Sequence, residues 1–191
     1  MSETTAAPTA RAGAAPAVAA SRTWTLKLVA LAIVAIGCVA DLVTKADMQT
    51  RLGMDPDRAG SERRIEVIAG FFRFEGTWNP GITFGLARDG HTLAIKTFTV
   101  LACGAILAWL LLTRTRSRLF HVALAMILGG AIGNLYDRFQ WNQVRDFLLV
   151  YWKDPSVWHW PAFNVADSLI VVGVILILGF ELFGRRHAEG A

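Results

Sequence analysis

Four stretches of this chain stay apolar for about as long as a helix needs to cross a bilayer. That narrows the possible folds more than anything else in the sequence. They run from Trp24 to Ala46, Leu93 to Thr113, Leu119 to Tyr136 and Pro161 to Phe183. Crossing the hydrocarbon layer takes ~20 helical residues, and within lipid only helices and closed barrels satisfy their own backbone. The chain has 191 residues and is 54% hydrophobic, with a mean hydropathy of +0.43. Soluble domains average ~45–50% apolar. The expected fold class is an α-helical integral membrane protein with four transmembrane helices. The first stretch could pass for a cleaved leader. Three more apolar segments follow, however, and its distal end carries Asp41 and Lys45, so it reads as a retained span.

Charge orients the four spans. Arg114, Arg116 and Arg118 sit in the tight turn between spans two and three, Arg22 and Lys27 at the start of span one, and Arg185 and Arg186 after span four. The positive-inside rule puts all of these on the cytoplasmic side. Residues 47–90 carry seven acids and six bases and fall outside. The expected organisation is a disordered cytoplasmic tail at 1–22, one four-span domain at 23–184, and a second cytoplasmic tail at 185–191. The outer loops are then 47–92 and 137–160. The net charge of +4 can suggest nucleic acid, but the bases cluster at helix ends, so no nucleic-acid partner is expected. Cys38 and Cys103 lie inside apolar runs and read as small hydrophobes, not as a disulfide or metal pair.

The outer loops have their own patterns. Ile65–Gly76 is rich in β-branched and aromatic residues, broken by Gly and partly alternating. It reads as a small extracytoplasmic β-sheet or hairpin resting on the membrane. Trp141, Trp152, Trp158 and Trp160 in the second loop suit an aromatic belt at headgroup level.

The polar residues beside the spans are the candidates for chemistry. A carboxylate at membrane depth is costly and is by default a functional-site candidate. Asp146 lies in Val144-Arg145-Asp146-Phe147, and Asp167 lies where Asn164-Val165-Ala166-Asp167-Ser168 enters span four. If that helix starts at Pro161, Asp167 sits roughly 9 Å along its axis. Two such acids facing each other across a water make an aspartyl-protease dyad. The alternative is a pair of buried acids satisfied by Arg138 or Lys45. Asp41 and Lys45 are i,i+4 and can pair. Asn79-Pro80-Gly81 makes a turn that can grip an extended peptide. Gly129 and Gly133 form a GxxxG that permits close helix approach and reads as structural. Asn134 and Arg138 share a helix face as possible substrate or lipid contacts, and Asp137 is expected to pair with Arg138. His91, His121, His159 and His187 are scattered and there is no HExxH, so no metal is expected. Ser168 has no base within a turn except the acid beside it and makes a poor nucleophile.

Five motifs in this order carry a resemblance. They are Asp41-x-x-Thr44-Lys45, Asn79-x-Gly81-x-x-Phe84, Gly129-Gly130-x-x-Gly133-Asn134-x-x-Asp137-Arg138, Val144-x-Asp146-Phe147 and Phe163-Asn164-x-Ala166-Asp167-Ser168. Together, over about residues 24–183, the chain resembles the bacterial lipoprotein signal peptidases (type II signal peptidases). The resemblance implies an aspartyl endopeptidase of the bacterial inner membrane. Such an enzyme removes signal peptides from prolipoproteins on the amino side of a diacylglyceryl-modified cysteine, with no cofactor. It implies Asp146 and Asp167 as the catalytic dyad. Asp41, Lys45, Asn79, Asn134, Arg138 and Asn164 become supporting or substrate-binding residues, and Asp137 an acid outside the dyad. Thr83 stands where the family often has a smaller residue. The partners implied are the lipidated precursor and membrane lipid, with the enzyme a monomer. Two other readings stay open at this level: a small transporter relaying ions through Asp41, Lys45 and Asp167, and a lipoprotein-binding subunit without catalysis.

Overall fold

The computed structural model describes residues 15–58, 60–81 and 91–184. Of the tail expected to be disordered at 1–22, residues 15–22 are instead helical, the first turns of the first helix, while residues 1–14, the expected tail at 185–191 and the stretch 82–90 with Thr83 and Phe84 lie outside the described residues. The elements in order are α1 (Ala15–Leu52), β1 (Gly60–Ile68), β2 (Phe72–Asn79), α2 (His91–Leu112), α3 (Arg118–Trp141), β3 (Val144–Val150) and α4 (Val165–Gly184). Four helical segments are long and apolar enough to cross a membrane: Thr23–Leu52, Thr92–Leu112, Arg118–Trp141 and Val165–Leu182. The protein is a four-helix membrane protein carrying a small three-stranded antiparallel sheet.

The bundle is organised around α3. Its spanning segment is 56% buried, against 17%, 6% and 11% for the segments of α1, α2 and α4. Lipid tails are as apolar as leucine, so these helices associate through close packing and polar contacts rather than hydrophobic exclusion from water. Glycines on α3 supply the closeness. A Cβ at Gly129 would stand 3.0 Å from the Val34 carbonyl oxygen, one at Gly133 would strike the Asp41 carboxylate, and one at Gly130 would strike the Ala166 carbonyl. Gly129 and Gly133 are therefore occupied by α1. The structural reading of this GxxxG holds: its groove is filled from within.

Three helices end elsewhere than the apolar windows suggest. α1 runs to Leu52 rather than Ala46, because its outer turn has apolar partners of its own. Leu52 is fully buried in a cluster with Met54, Trp78 and Phe147. α3 runs to Trp141 rather than Tyr136, closing on Asn142 in the left-handed region (φ 58°), whose N–H donates to the Arg138 carbonyl. α4 begins at Val165, not Pro161. Phe163, just ahead of it, is committed to β3: its N–H donates to the Leu148 carbonyl (3.1 Å), and its own carbonyl accepts from Leu148 N–H (2.9 Å).

The hairpin expected around Ile65–Gly76 is present as β1 and β2. The third strand was not legible from its own residues. Val-Arg-Asp-Phe-Leu-Leu-Val does not alternate, because the strand is buried on both faces. No tight turn connects it to β2. β3 pairs with β2 so that Thr77 faces Asp146, Trp78 faces Arg145 and Asn79 faces Val144. Trp152, Trp158 and Trp160 are exposed, as an anchoring belt requires. Trp141 departs from that pattern and packs edge-on against Trp78, with ring centroids 5.8 Å apart.

Candidate active site

The site forms where β2, β3, α3 and α4 meet beneath the sheet, and Asn164 is its hub. Asn164 precedes α4 and accepts the first helical bond, from Ser168 N–H (3.2 Å). Its Oδ1 accepts from Asp167 N–H (2.9 Å), while its own N–H donates to Asp167 Oδ2 (3.2 Å). This reciprocal arrangement is a capping box with Asn at the cap and Asp at the third helical position. It fixes the Asp167 carboxylate through the backbone. The Asn164 amide nitrogen then donates to Asp146 Oδ1 (2.6 Å). One side chain thus holds both acids. Asp167 lies in the first turn of α4, not deep in the helix as a start at Pro161 suggests.

Each carboxylate has a second amide. Asn79 Nδ2 donates to Asp146 Oδ2 (2.9 Å), and Asn134 Nδ2 donates to Asp167 Oδ1 (2.7 Å). Asn79 Oδ1 accepts from Gly81 N–H (2.8 Å), so the Asn-Pro-Gly turn locks the amide that reaches Asp146. The reading of the two acids as ion-paired to Arg138 or Lys45 is corrected: neither carries a salt bridge among the described residues. The environments of the two acids differ. Asp146 is 1% exposed, whereas Asp167 is half-buried and lines an apolar groove of about 370 Å³ with Trp160, Phe163, Ser168, Val171 and Val172. Burial, and then the charge of Asp167 beside it, push the Asp146 carboxyl up to about 7. Amide bonds from Asn79 and Asn164 oppose that rise without cancelling it.

Behind the pair lies a buried ionic layer. Lys45 Nζ meets Asp41 (2.7 Å) and Asp137 (3.4 Å) and donates to Asn134 Oδ1 (2.8 Å). Asp41 Oδ1 accepts from Ala166 N–H (2.9 Å), so a carboxylate on α1 holds the first turn of α4. Asp137 does not pair with Arg138. Its partner is Arg145, whose Nη2 and Nε donate to the two carboxylate oxygens (2.5 and 3.2 Å). The backbone N–H of Arg145 adds a third bond (3.0 Å). Adjacent helical residues do not face each other, which is why Asp137 and Arg138 diverge. Arg138 instead donates to the Asn134 carbonyl (3.3 Å) and lies beside Gly81. All eight site residues expected from the sequence fall in this one region. Arg145 is the residue sequence reasoning missed; its only signal was a lone arginine directly before a candidate acid. Cys38 and Cys103 are free and partly buried.

Fold and site together define a class: a membrane-embedded protein built around two carboxylates bridged by amides. Residues 21–183 match the family model for signal peptidase (SPase) II. A lipoprotein signal peptidase from Symbiobacterium thermophilum is 40% identical over 159 residues, covering 83% of this chain and 96% of the relative. One from Sulfurihydrogenibium sp. (strain YO3AOP1) is 36% identical over 154 residues, covering 78% and 88%. A bacterial membrane enzyme solved by the in meso method at 1.9 Å resolution superposes with a TM-score of 0.68 at 26% identity, covering 81% of this chain and 93% of that one. The chain belongs to the signal peptidase II family, the lipoprotein signal peptidases, which are proteases that remove signal peptides from prolipoproteins.

Proposed function

We propose that Asp146 and Asp167 are the catalytic pair of this peptidase, and that it cuts on the amino side of a diacylglyceryl-modified cysteine. The observation that carries the reading is Asn164, which bonds both carboxylates at once, Asp146 through its side-chain amide and Asp167 through its backbone N–H. Like charges this close favour one shared proton. The deeper, more desolvated Asp146, whose carboxyl is pushed up by burial, holds it. Asp167 takes a proton from the attacking water as oxygen adds to the scissile carbonyl. Asp146 polarises that carbonyl and then protonates the leaving amine. No cofactor or metal enters this scheme. Asn79, Asn134 and Asn164 orient the acids, and Asp41 and Lys45 fix Asn134 and the first turn of α4. Arg138, beside the Asn79 turn, is placed to meet a peptide carbonyl. All these groups come from one chain, which suits a monomer.

The proposed setting is a bacterial cytoplasmic membrane, with both termini cytoplasmic and the sheet outside, consistent with the arginine turn at 114–118. The test is to incubate purified protein with a lipidated precursor and follow release of the signal peptide. Asp146→Asn and Asp167→Asn should each abolish release while the protein still inserts and folds. Near-normal turnover in either variant removes the pair from catalysis.

A further inference from the structure

At the end of the bundle away from the sheet, α1 and α3 part to leave a groove of about 390 Å³. Its wall is apolar: Leu26, Val29, Ala30 and Ile33 from α1, and Val122 from α3. Two polar side chains of α3 interrupt it. Arg118, the first residue of the helix, stands exposed at the mouth, in no salt bridge among the described residues. His121 lines the groove one turn deeper and is 2% exposed. Its Nδ1 lies 2.8 Å from the Ser117 carbonyl, which can only accept, so Nδ1 carries a proton. Its Nε2 is buried with no hydrogen-bond partner. An orphaned buried nitrogen of this kind needs an explanation, and a ligand that reaches it supplies one.

We infer that this groove binds an anionic phospholipid of the surrounding membrane. One acyl chain lies along Val29, Ile33 and Val122, the phosphate bonds Arg118, and a head-group hydroxyl donates to His121 Nε2. The chain alone confers no preference, because a lipid tail is as apolar against its neighbours as against this wall. Selectivity has to come from the head group. No carboxylate lines the groove. Arg114 and Arg116 add positive charge in the adjoining turn, and the N-terminal end of α3 carries the positive end of its dipole. With its proton on Nδ1, the His121 ring presents Nε2 as an acceptor, which a head-group hydroxyl such as that of phosphatidylglycerol can meet. Basic pockets between membrane helices hold anionic head groups elsewhere by the same chemistry. The site lies at the opposite end of the bundle from the carboxyl pair and does not depend on any role for it.

The experiment is thermal unfolding of the full chain in a neutral detergent, titrated with dioleoyl phosphatidylglycerol. Dioleoyl phosphatidylcholine and inorganic phosphate are the parallel titrants. A saturable rise in Tm with the anionic lipid alone is expected. Arg118→Gln should weaken that response by roughly tenfold, the scale of one lost charge-assisted hydrogen bond. Val29→Trp, which fills the groove from a half-exposed position on its wall, should do the same, as should His121→Leu. Arg114→Gln, outside the groove, should change it far less. Equal responses to both lipids overturn the inference, as does an Arg114→Gln loss equal to that of Arg118→Gln, which would mean diffuse surface charge. A response to inorganic phosphate that Arg118→Gln removes would replace the lipid with a simple phosphate site.

Discussion

The Asn164 side chain bonds the Asp146 carboxylate and the Asp167 backbone N–H, so its replacement separates geometry from chemistry. Asn164→Ala keeps both carboxylates but removes the amide that fixes Asp146, and a misplacement of this kind costs roughly a hundredfold in rate. The loss should fall on kcat, with KM little changed; a loss confined to KM would assign Asn164 to substrate binding. Asp146 sets a pH dependence of two kinds. Its carboxyl titrates near 7 in the folded protein, against an ordinary value of 3.8. Activity that needs it protonated declines as pH rises through about 7, giving the alkaline limb of a bell-shaped profile. In stability, a raised pKa means the folded state binds the extra proton. That contribution is complete below pH 3.8 and is lost by about pH 7, roughly 4 kcal/mol in all. Tm should therefore fall from pH 5 to pH 8, and Asp146→Asn should flatten the slope. A wild-type Tm unchanged across that range would contradict it. Asp146 and Asp167 were legible because a carboxylate beside an apolar helix needs a reason to be there. Arg145 was not, because its partner lies eight residues back across a helix end, while Arg138 is next to Asp137 in sequence but on another face.

The helices carry the site by closeness. Gly130→Ala and Gly133→Ala each put a methyl into another helix, and at Gly130 the obstacle is backbone. Overpacking of this kind costs about 1–3 kcal/mol. Gly104 and Gly179 leave open space where the same methyl would go, and Gly→Ala there should be neutral or stabilising by up to ~1 kcal/mol. Chemical unfolding in mixed micelles measures all four, and equal losses would deny the glycines a packing role. The apolar windows revealed the four helices, since bilayer thickness sets their length. They misjudged the ends, where Leu52, Trp141 and Phe163 answer to the sheet rather than to lipid. The hairpin was legible in Ile65–Gly76 through its alternation. β3 was not, because a strand buried on both faces looks like any short apolar run.

At the scale of the molecule, two outcomes test how it sits and what it selects. With Cys38 and Cys103 replaced, a cysteine at position 58 should label from outside and one at 116 should not; the reverse pattern inverts the topology. A precursor with an unmodified cysteine should be cleaved far more slowly than its lipidated form in the same bilayer, because each buried methylene adds roughly 0.8 kcal/mol of anchoring. Equal single-turnover rates would remove the lipid from recognition. The bond from Ala166 N–H to Asp41 bears on biogenesis. Asp41 comes from the first span, Asp146 from the sheet, and Asp167 from the span that enters the membrane after all the others. Until α4 is seated, Asn164 and Asp167 cannot meet Asp146, and the proposed pair is not assembled. On the proposed pairing, a nascent copy passing through the insertion machinery, beside precursors bearing their own signal peptides, would be inert until its topology is complete.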